Sequence, residues 1–136
     1  MKEFAVSKKE IICTKNEFDQ VFNSGKTIYS NSRKLKAIFY INKNTGSEGL
    51  KVAFAVHKKA GSAVWRNRVK RLLRESFRLH KGVLSESLKN VFLSVVFSLN
   101  TINQRNQIKI KLSDIISDMI ELMNKIRVEM EYELQL

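Results

Sequence analysis

Apolar residues recur along the chain with different periods, and each period assigns an element. Thr14 and Glu17 have the capping-box spacing, Phe18, Val21 and Phe22 follow three and four apart, and Gly25 ends the pattern, which predicts a short helix over about residues 15 to 24. Leu35 to Ile41 is rich in β formers. From Leu50 to His57 the chain alternates, with Leu50, Val52, Phe54 and Val56 on one side and Lys51, Ala53, Ala55 and His57 on the other. These are two strands, and the polar stretch Asn42 to Gly49 between them, with two glycines, reads as a long hairpin loop. Ser62 is placed to cap a helix running to about Leu79, with Val69, Leu72, Leu73 and Phe77 on its inner face and Asn67, Lys70, Arg71, Arg74 and Arg78 on its outer one. Val91 to Leu99 is apolar on both alternations, as a central strand covered on two sides requires. Ile108, Leu112, Ile115, Ile116, Met119, Ile120, Met123 and Ile126 keep a helical period and predict a long final helix over the sheet. The order is α-β-β-α-β-α, an α+β two-layer sandwich of one domain over residues 1–136.

Charge adds direction to this scaffold. Among 136 residues, 25 Lys and Arg stand against 13 Asp and Glu, a net +12 that calls for a polyanionic partner. Between His57 and Gly82 nine cations face Glu75 alone, leaving +8, whereas from Leu112 to the C-terminus six carboxylates against two cations leave −4. Only one side of the molecule can therefore meet a polyanion. No run approaches the roughly 18 apolar residues of a membrane span, and Met1 to Glu10 mixes charged with apolar residues, so a cytoplasmic protein with no membrane partner is expected. Cys13, the single cysteine, excludes an internal disulfide and a thiolate metal cluster.

The segment Phe54 to Arg78 carries the candidate chemistry. A strand ends at Lys58 and Lys59, the chain turns at Gly61, and a helix opens with Arg66, Asn67 and Arg68. Guanidinium forks grip phosphate oxygens at two points and stack on bases, while an Asn amide adds donors and an acceptor. Plain solvation also produces a basic helix face, but clustering on one side of so basic a chain favours a nucleic acid. His57 and His80 lack paired carboxylates for acid–base work, so no catalytic residue is assigned; His57 belongs to the sheet rim or to an RNA contact. Trp65 stands beside the Arg-Asn-Arg turn as either a packed side chain or a base-stacking one. Asp114 and Asp118, four apart, are the usual solubilising carboxylates of a helix face and not a metal site. Phe18 and Phe22, one turn apart, are core residues by spacing alone.

The run Trp65-Arg-Asn-Arg-Val-Lys-Arg-Leu-Leu-Arg-Glu75, preceded by His57-Lys-Lys-Ala-Gly-Ser-Ala-Val64, closely resembles the Arg-Asn-Arg signature of the bacterial ribonuclease P protein component family. Phe18-Asp-Gln-Val-Phe22 followed by Gly25 resembles that family's first helix. His57 stands where many members carry serine, and Ser62 replaces a common asparagine; the Arg-Asn-Arg run itself is intact. The resemblance implies a mixed sheet with helices packed on it, ribosomal protein S5 domain 2-like, with a left-handed β-α-β crossover against the usual right-handed rule. It further implies an accessory subunit of an endoribonuclease whose RNA subunit, with Mg²⁺ held mainly by that RNA, removes the 5′ leader of precursor tRNA. Lys58, Lys59, Arg66, Asn67, Arg68, Lys70, Arg71 and Arg74 would then lie against the catalytic RNA, and Phe18, Phe22, Tyr40 and His57 against the leader. Aromatic stacking with a cationic track suits such a leader, because it tolerates any base.

Two other classes remain compatible with the residues: a structural RNA-binding module of ribosomal type, and a duplex-DNA reader with the basic helix in the major groove. The second is disfavoured, because the basic helix follows a strand and has no partner helix before it, so no duplex DNA is expected.

Overall fold

The computed structural model describes residues 15–43, 46 and 48–135. Cys13 and Thr14, the proposed cap, lie outside them. Helix α1 (Lys15–Ser24) is followed by strands β1 (Lys26–Tyr29), β2 (Leu35–Asn42) and β3 (Gly49–Ala55), a 3₁₀ turn (Lys58–Ala60), helix α2 (Ala63–His80), the single turn α3 (Gly82–Ser85), strand β4 (Phe92–Leu99), a second 3₁₀ turn (Leu112–Asp114) and helix α4 (Ile116–Gln135). The α+β sandwich is as the patterns predict, with one strand and one helical turn added.

The sheet order is β1-β2-β4-β3. β4 runs antiparallel to β2 and parallel to β3, so the sheet is mixed. The expected hairpin between β2 and β3 is therefore not formed: β4 lies between them. The reason is in β4 itself, whose Leu93, Val95, Val96 and Phe97 are buried on both faces, so that it takes the centre with a partner on each side. The parallel pair β3 and β4 is joined through α2 and α3, as parallel strands must be joined by a crossover.

The two faces of the sheet are covered differently. Leu35, Ala37 and Phe39 of β2, Leu50 and Val52 of β3, and Leu93, Val95, Phe97 and Leu99 of β4 form one core with α2 and α4. Phe54, Phe77 and Phe97 meet at its centre with ring centroids 5.7 to 6.1 Å apart. The opposite face holds a smaller cluster in which Val21 of α1 packs on Ala53 and Val96, flanked by Phe18, Ile38, Tyr40 and Ala55. Much of that face is left uncovered beside α1.

α4 begins at Ile116, later than its period suggested. Ile108 is 68% exposed in the loop before it, because Asn103 and Asn106 hydrogen-bond each other's backbone amides and the Asp114 carboxylate caps the Lys111 amide, fixing residues 103–111 in a non-helical course. Asp118 also departs from expectation. It is buried, accepting hydrogen bonds from Ser30 Oγ at 2.8 Å and from Ser32, and so ties the turn after β1 to α4. Asp114, half-exposed, lies in the 3₁₀ turn before the helix. No helix among the described residues is long and apolar enough to cross a membrane.

Candidate nucleic-acid interface

The cationic face is built on α2. Ser62 caps the helix, its hydroxyl accepting from the Trp65 amide at 3.2 Å. Val69, Leu73 and Phe77 are fully buried, which fixes the helix rotation and sends Asn67, Arg71 and Arg74 outward to solvent. Arg66 and Arg68 are each oriented by a backbone carbonyl: Arg66 Nε donates to Gly61 at 3.1 Å and Arg68 Nε to Ile110 at 3.0 Å. Their terminal nitrogens have no partner among the described residues, so each guanidinium is aimed in advance of any ligand. Lys58 and Lys59 are exposed on the 3₁₀ turn immediately before.

None of Lys58, Lys59, Arg66, Arg68, Lys70, Arg71 and Arg74 has a carboxylate partner among the described residues. Six other cations are paired: Lys26 and Lys43 with Glu133, Lys51 with Glu17, Arg78 with Glu75, Lys125 with Glu121 and Arg127 with Glu131; Lys15, Arg33, Lys34, Lys36 and Lys89 also lack a carboxylate partner among the described residues, but are spread over α1, the turn after β1, β2 and the loop before β4. The Arg78 guanidinium holds the Glu75 carboxyl below its ordinary pKa, so the one carboxylate in this segment is neutralised within the protein. α2 also has no acidic residue in its first turn, although its dipole is positive there and disfavours the Arg66 charge at the end of that turn by at most about 0.3 to 1 kcal/mol. That arrangement is unfavourable for the free protein and favourable once an anion is bound.

The second region lies on the α1 face. A groove of about 300 Å³ is bordered by Glu17 and Gln20 of α1, Tyr40 and Asn42 of β2, Lys51 of β3 and Phe92 and Ser94 of β4. Glu17 and Lys51 pair across its rim at 2.8 Å. Phe18 and Phe22 stack on each other with centroids 6.2 Å apart and planes 13° from parallel. Phe22 is 51% exposed and so is no core residue, contrary to what its spacing gave; Phe18 is half-buried against the small cluster. On the helix the two rings lie on the flank away from Gln20, so Tyr40 and the phenylalanine pair stand on opposite sides of α1. His57 does not border the groove. It is exposed beyond the C-terminal end of β3, next to Lys58 and Lys59, whereas Lys51 marks the groove at the strand's other end.

Trp65 is buried at 4% exposure, with Nε1 donating to the Gln107 carbonyl at 3.1 Å, and is not available to stack on a base. It instead pins residues 100–111 to α2, a segment that adds Arg105, Lys109 and Lys111 without a carboxylate beside the Arg-Asn-Arg turn. Sequence reasoning missed this extension by carrying the helical period back to Ile108; the local charge balance was the available signal. Among the described residues no three of His, Cys, Asp and Glu gather as metal ligands, and the one carboxylate of α2, Glu75, is paired with Arg78. The described side chains gather no Mg²⁺ ligand set.

An α+β scaffold that clusters unpaired cations along one helix and carries an aromatic-edged groove on the other face of its sheet has the features of a nucleic-acid-binding protein. The ribonuclease P family model matches residues 6–127. The ribonuclease P protein component of Dictyoglomus thermophilum is 40% identical over 86 residues, 63% of this chain and 68% of the relative. That of Desulfosudis oleivorans is 39% identical over 85 residues, 66% of its length, and that of Clostridium botulinum strain Langeland is 38% identical over 125 residues, 92% of this chain and 96% of the relative. The chain belongs to the ribonuclease P protein family. Solved structures agree on the fold: the RNase P protein of Thermotoga maritima superposes with a TM-score of 0.67 over 85% of this chain and 96% of that one, at 21% identity, and the Staphylococcus aureus protein with 0.64 over 85% and 94%, at 19%.

Proposed function

We propose that this chain is the protein subunit of ribonuclease P, binding the catalytic RNA through α2 and the 5′ leader of precursor tRNA beside α1, and so assisting removal of the leader in the cytoplasm. The observation that carries the reading is the clustering of seven cations without carboxylate partners on α2 and the turn before it, beside Arg105, Lys109 and Lys111. Bond cleavage is assigned to the RNA, in keeping with a cationic face that, among the described residues, gathers no acid–base pair. Mg²⁺ is held by RNA phosphates, and the cationic face raises its effective affinity by lowering phosphate repulsion nearby.

The test is reconstitution with the catalytic RNA of the same organism. Added protein should raise precursor cleavage at near-physiological salt and move the Mg²⁺ midpoint to lower concentration; no change in either refutes the assignment. Within that assay Phe22→Ala should weaken precursor binding by about tenfold, a loss of one stacking contact, and leave mature tRNA binding as it was. Because Phe22 is half-exposed, its thermal midpoint should stay close to that of the parent. Equal losses for precursor and mature tRNA would remove Phe22 from the leader site.

A further inference from the structure

A cavity of about 600 Å³ opens where the 3₁₀ turn and the N-terminal end of α2 meet the loop before α4, walled by Lys59, Gly61, Asn103, Gln104, Arg105 and Ile108. It is separate from the Tyr40 groove, with which it shares no residue. Its walls are held rigidly. The Gln104 amide donates to the Ala60 carbonyl at 2.7 Å, and Gln104 Oε1 accepts from the Ser62 amide at 2.7 Å. A side chain at Gly61 would sit 2.8 Å from both Gln104 and Trp65, so only glycine allows the loop to close on the turn.

The chemistry inside is one-sided. Asn103 Oδ1 is used by the Asn106 amide and Gln104 Oε1 by Ser62, which leaves the two side-chain NH₂ groups as donors with no partner among the described residues. Lys59 and Arg105 add two cations without a carboxylate in the wall, and Ile108 offers an exposed apolar surface. A ligand that satisfies this set has a negative charge, several acceptors and a flat apolar face.

We propose that this cavity receives one unpaired nucleotide of the RNA that docks on α2. Its phosphate lies between Lys59 and Arg105, its base rests on Ile108, and the Asn103 and Gln104 amides donate to acceptors on the base edge. The proposal rests on the reading of α2 as an RNA-docking face. It assigns the cavity to the docked RNA and not to the leader, because its wall residue Gly61 holds Arg66 and it shares no wall with the α1 groove.

Binding of the full chain to the catalytic RNA, measured over a salt series, tests it. Arg105→Ala should lower the magnitude of the salt slope by about 0.7 to 0.9, one phosphate contact. Ile108→Ala should weaken binding about three- to tenfold with the slope unchanged, through lost apolar contact. Both side chains are exposed, and thermal midpoints should match the parent's. In a Cys13→Ser background, an iron–EDTA probe on Ile108→Cys should cut the RNA at one unpaired position; cutting spread along helices overturns the proposal. If the parent chain binds and both alanine variants bind equally well with its slope, the cavity is empty in the complex and the proposal fails alone. Failure of the parent chain to bind the RNA would instead remove the docking reading beneath it. A changed preference for precursor over mature tRNA, with assembly unaffected, would give the cavity to the leader and equally overturn the proposal.

Discussion

Gly25 shows how a single residue joins a helix to a sheet. Its place after Phe22 marks it as a helix stop, and its amide does close α1 by donating to the Val21 carbonyl at 2.8 Å. The stronger constraint is a close approach that no local pattern contains: a Cβ here would lie 2.3 Å from the Val21 carbonyl oxygen and 2.7 Å from that of Phe39 in β2. Both are backbone atoms of anchored elements and cannot turn aside. Gly25→Ala should therefore destabilise the fold by about 1 to 3 kcal/mol, read as a lowered urea midpoint with unchanged m. An unchanged midpoint would mean that α1 can lift from β2 at little cost, and the groove beside it would lose its fixed wall. The same limit applies to Trp65, Asp118 and Ile108: sequence spacing gives a side chain's neighbours on its own element, whereas Gln107, Ser30 and the asparagine pair lie on other segments or in a loop that merely shares the helical period.

At the scale of elements, β1 is what the hydrophobic pattern could not supply. Its four residues, Lys26 to Tyr29, include no fully buried side chain, so alternation has nothing to register. The strand is kept in place from outside. Lys125 Nζ donates to the Tyr29 carbonyl at 2.8 Å, and the Glu121 carboxylate accepts from the Asn31 amide at 2.6 Å, while Lys26 and Lys43 both reach Glu133. The Lys26 hydrogen bond first, and that of Lys43 after it, holds the Glu133 carboxyl below its ordinary pKa, and the same bond raises that of Lys26. Because a depressed carboxyl contributes stability above its unfolded value and loses it as pH falls through the folded one, the clasp weakens on acidification. The lysine's contribution is lost only as pH rises through its own raised value. A carbon-13 titration of the Glu133 carboxyl should have its midpoint below that of an unpaired glutamate, and Lys26→Met should bring it back most of the way. An ordinary midpoint in the parent protein would show that the clasp is not populated in solution. The pair is on the surface, so its effect on global stability should be small. The longer elements, β2, β3, β4, α2 and α4, were legible because each buries several residues at a fixed period; the pairing of β4 between β2 and β3 was not, since strand order depends on contacts between distant segments.

Across the whole molecule the distribution of pairing matters more than the net charge. The acidic residues of α4 neutralise Lys26 of β1, Lys43 just after β2 and cations of their own helix, so that the densest unpaired positive charge lies on α2 and the turns beside it. An approaching polyanion is thus steered to one face, and the cations that meet it give up no internal partner on contact. Salt dependence separates the two sets of cations. Replacing Arg66 and Arg71 together with alanine should lower the magnitude of the slope of log K against log salt for the catalytic RNA by about 1.4 to 1.8, two phosphate contacts. Replacing Lys125 and Arg127 together, which removes the same formal charge, should leave that slope unchanged, because those side chains are already neutralised by carboxylates of their own helix. Equal slopes for the two double variants would mean that RNA responds to total charge and not to its arrangement. In that case the preset guanidinium geometry of α2, with Arg66 on Gly61 and Arg68 on Ile110, would be a feature of the free protein with no part in docking.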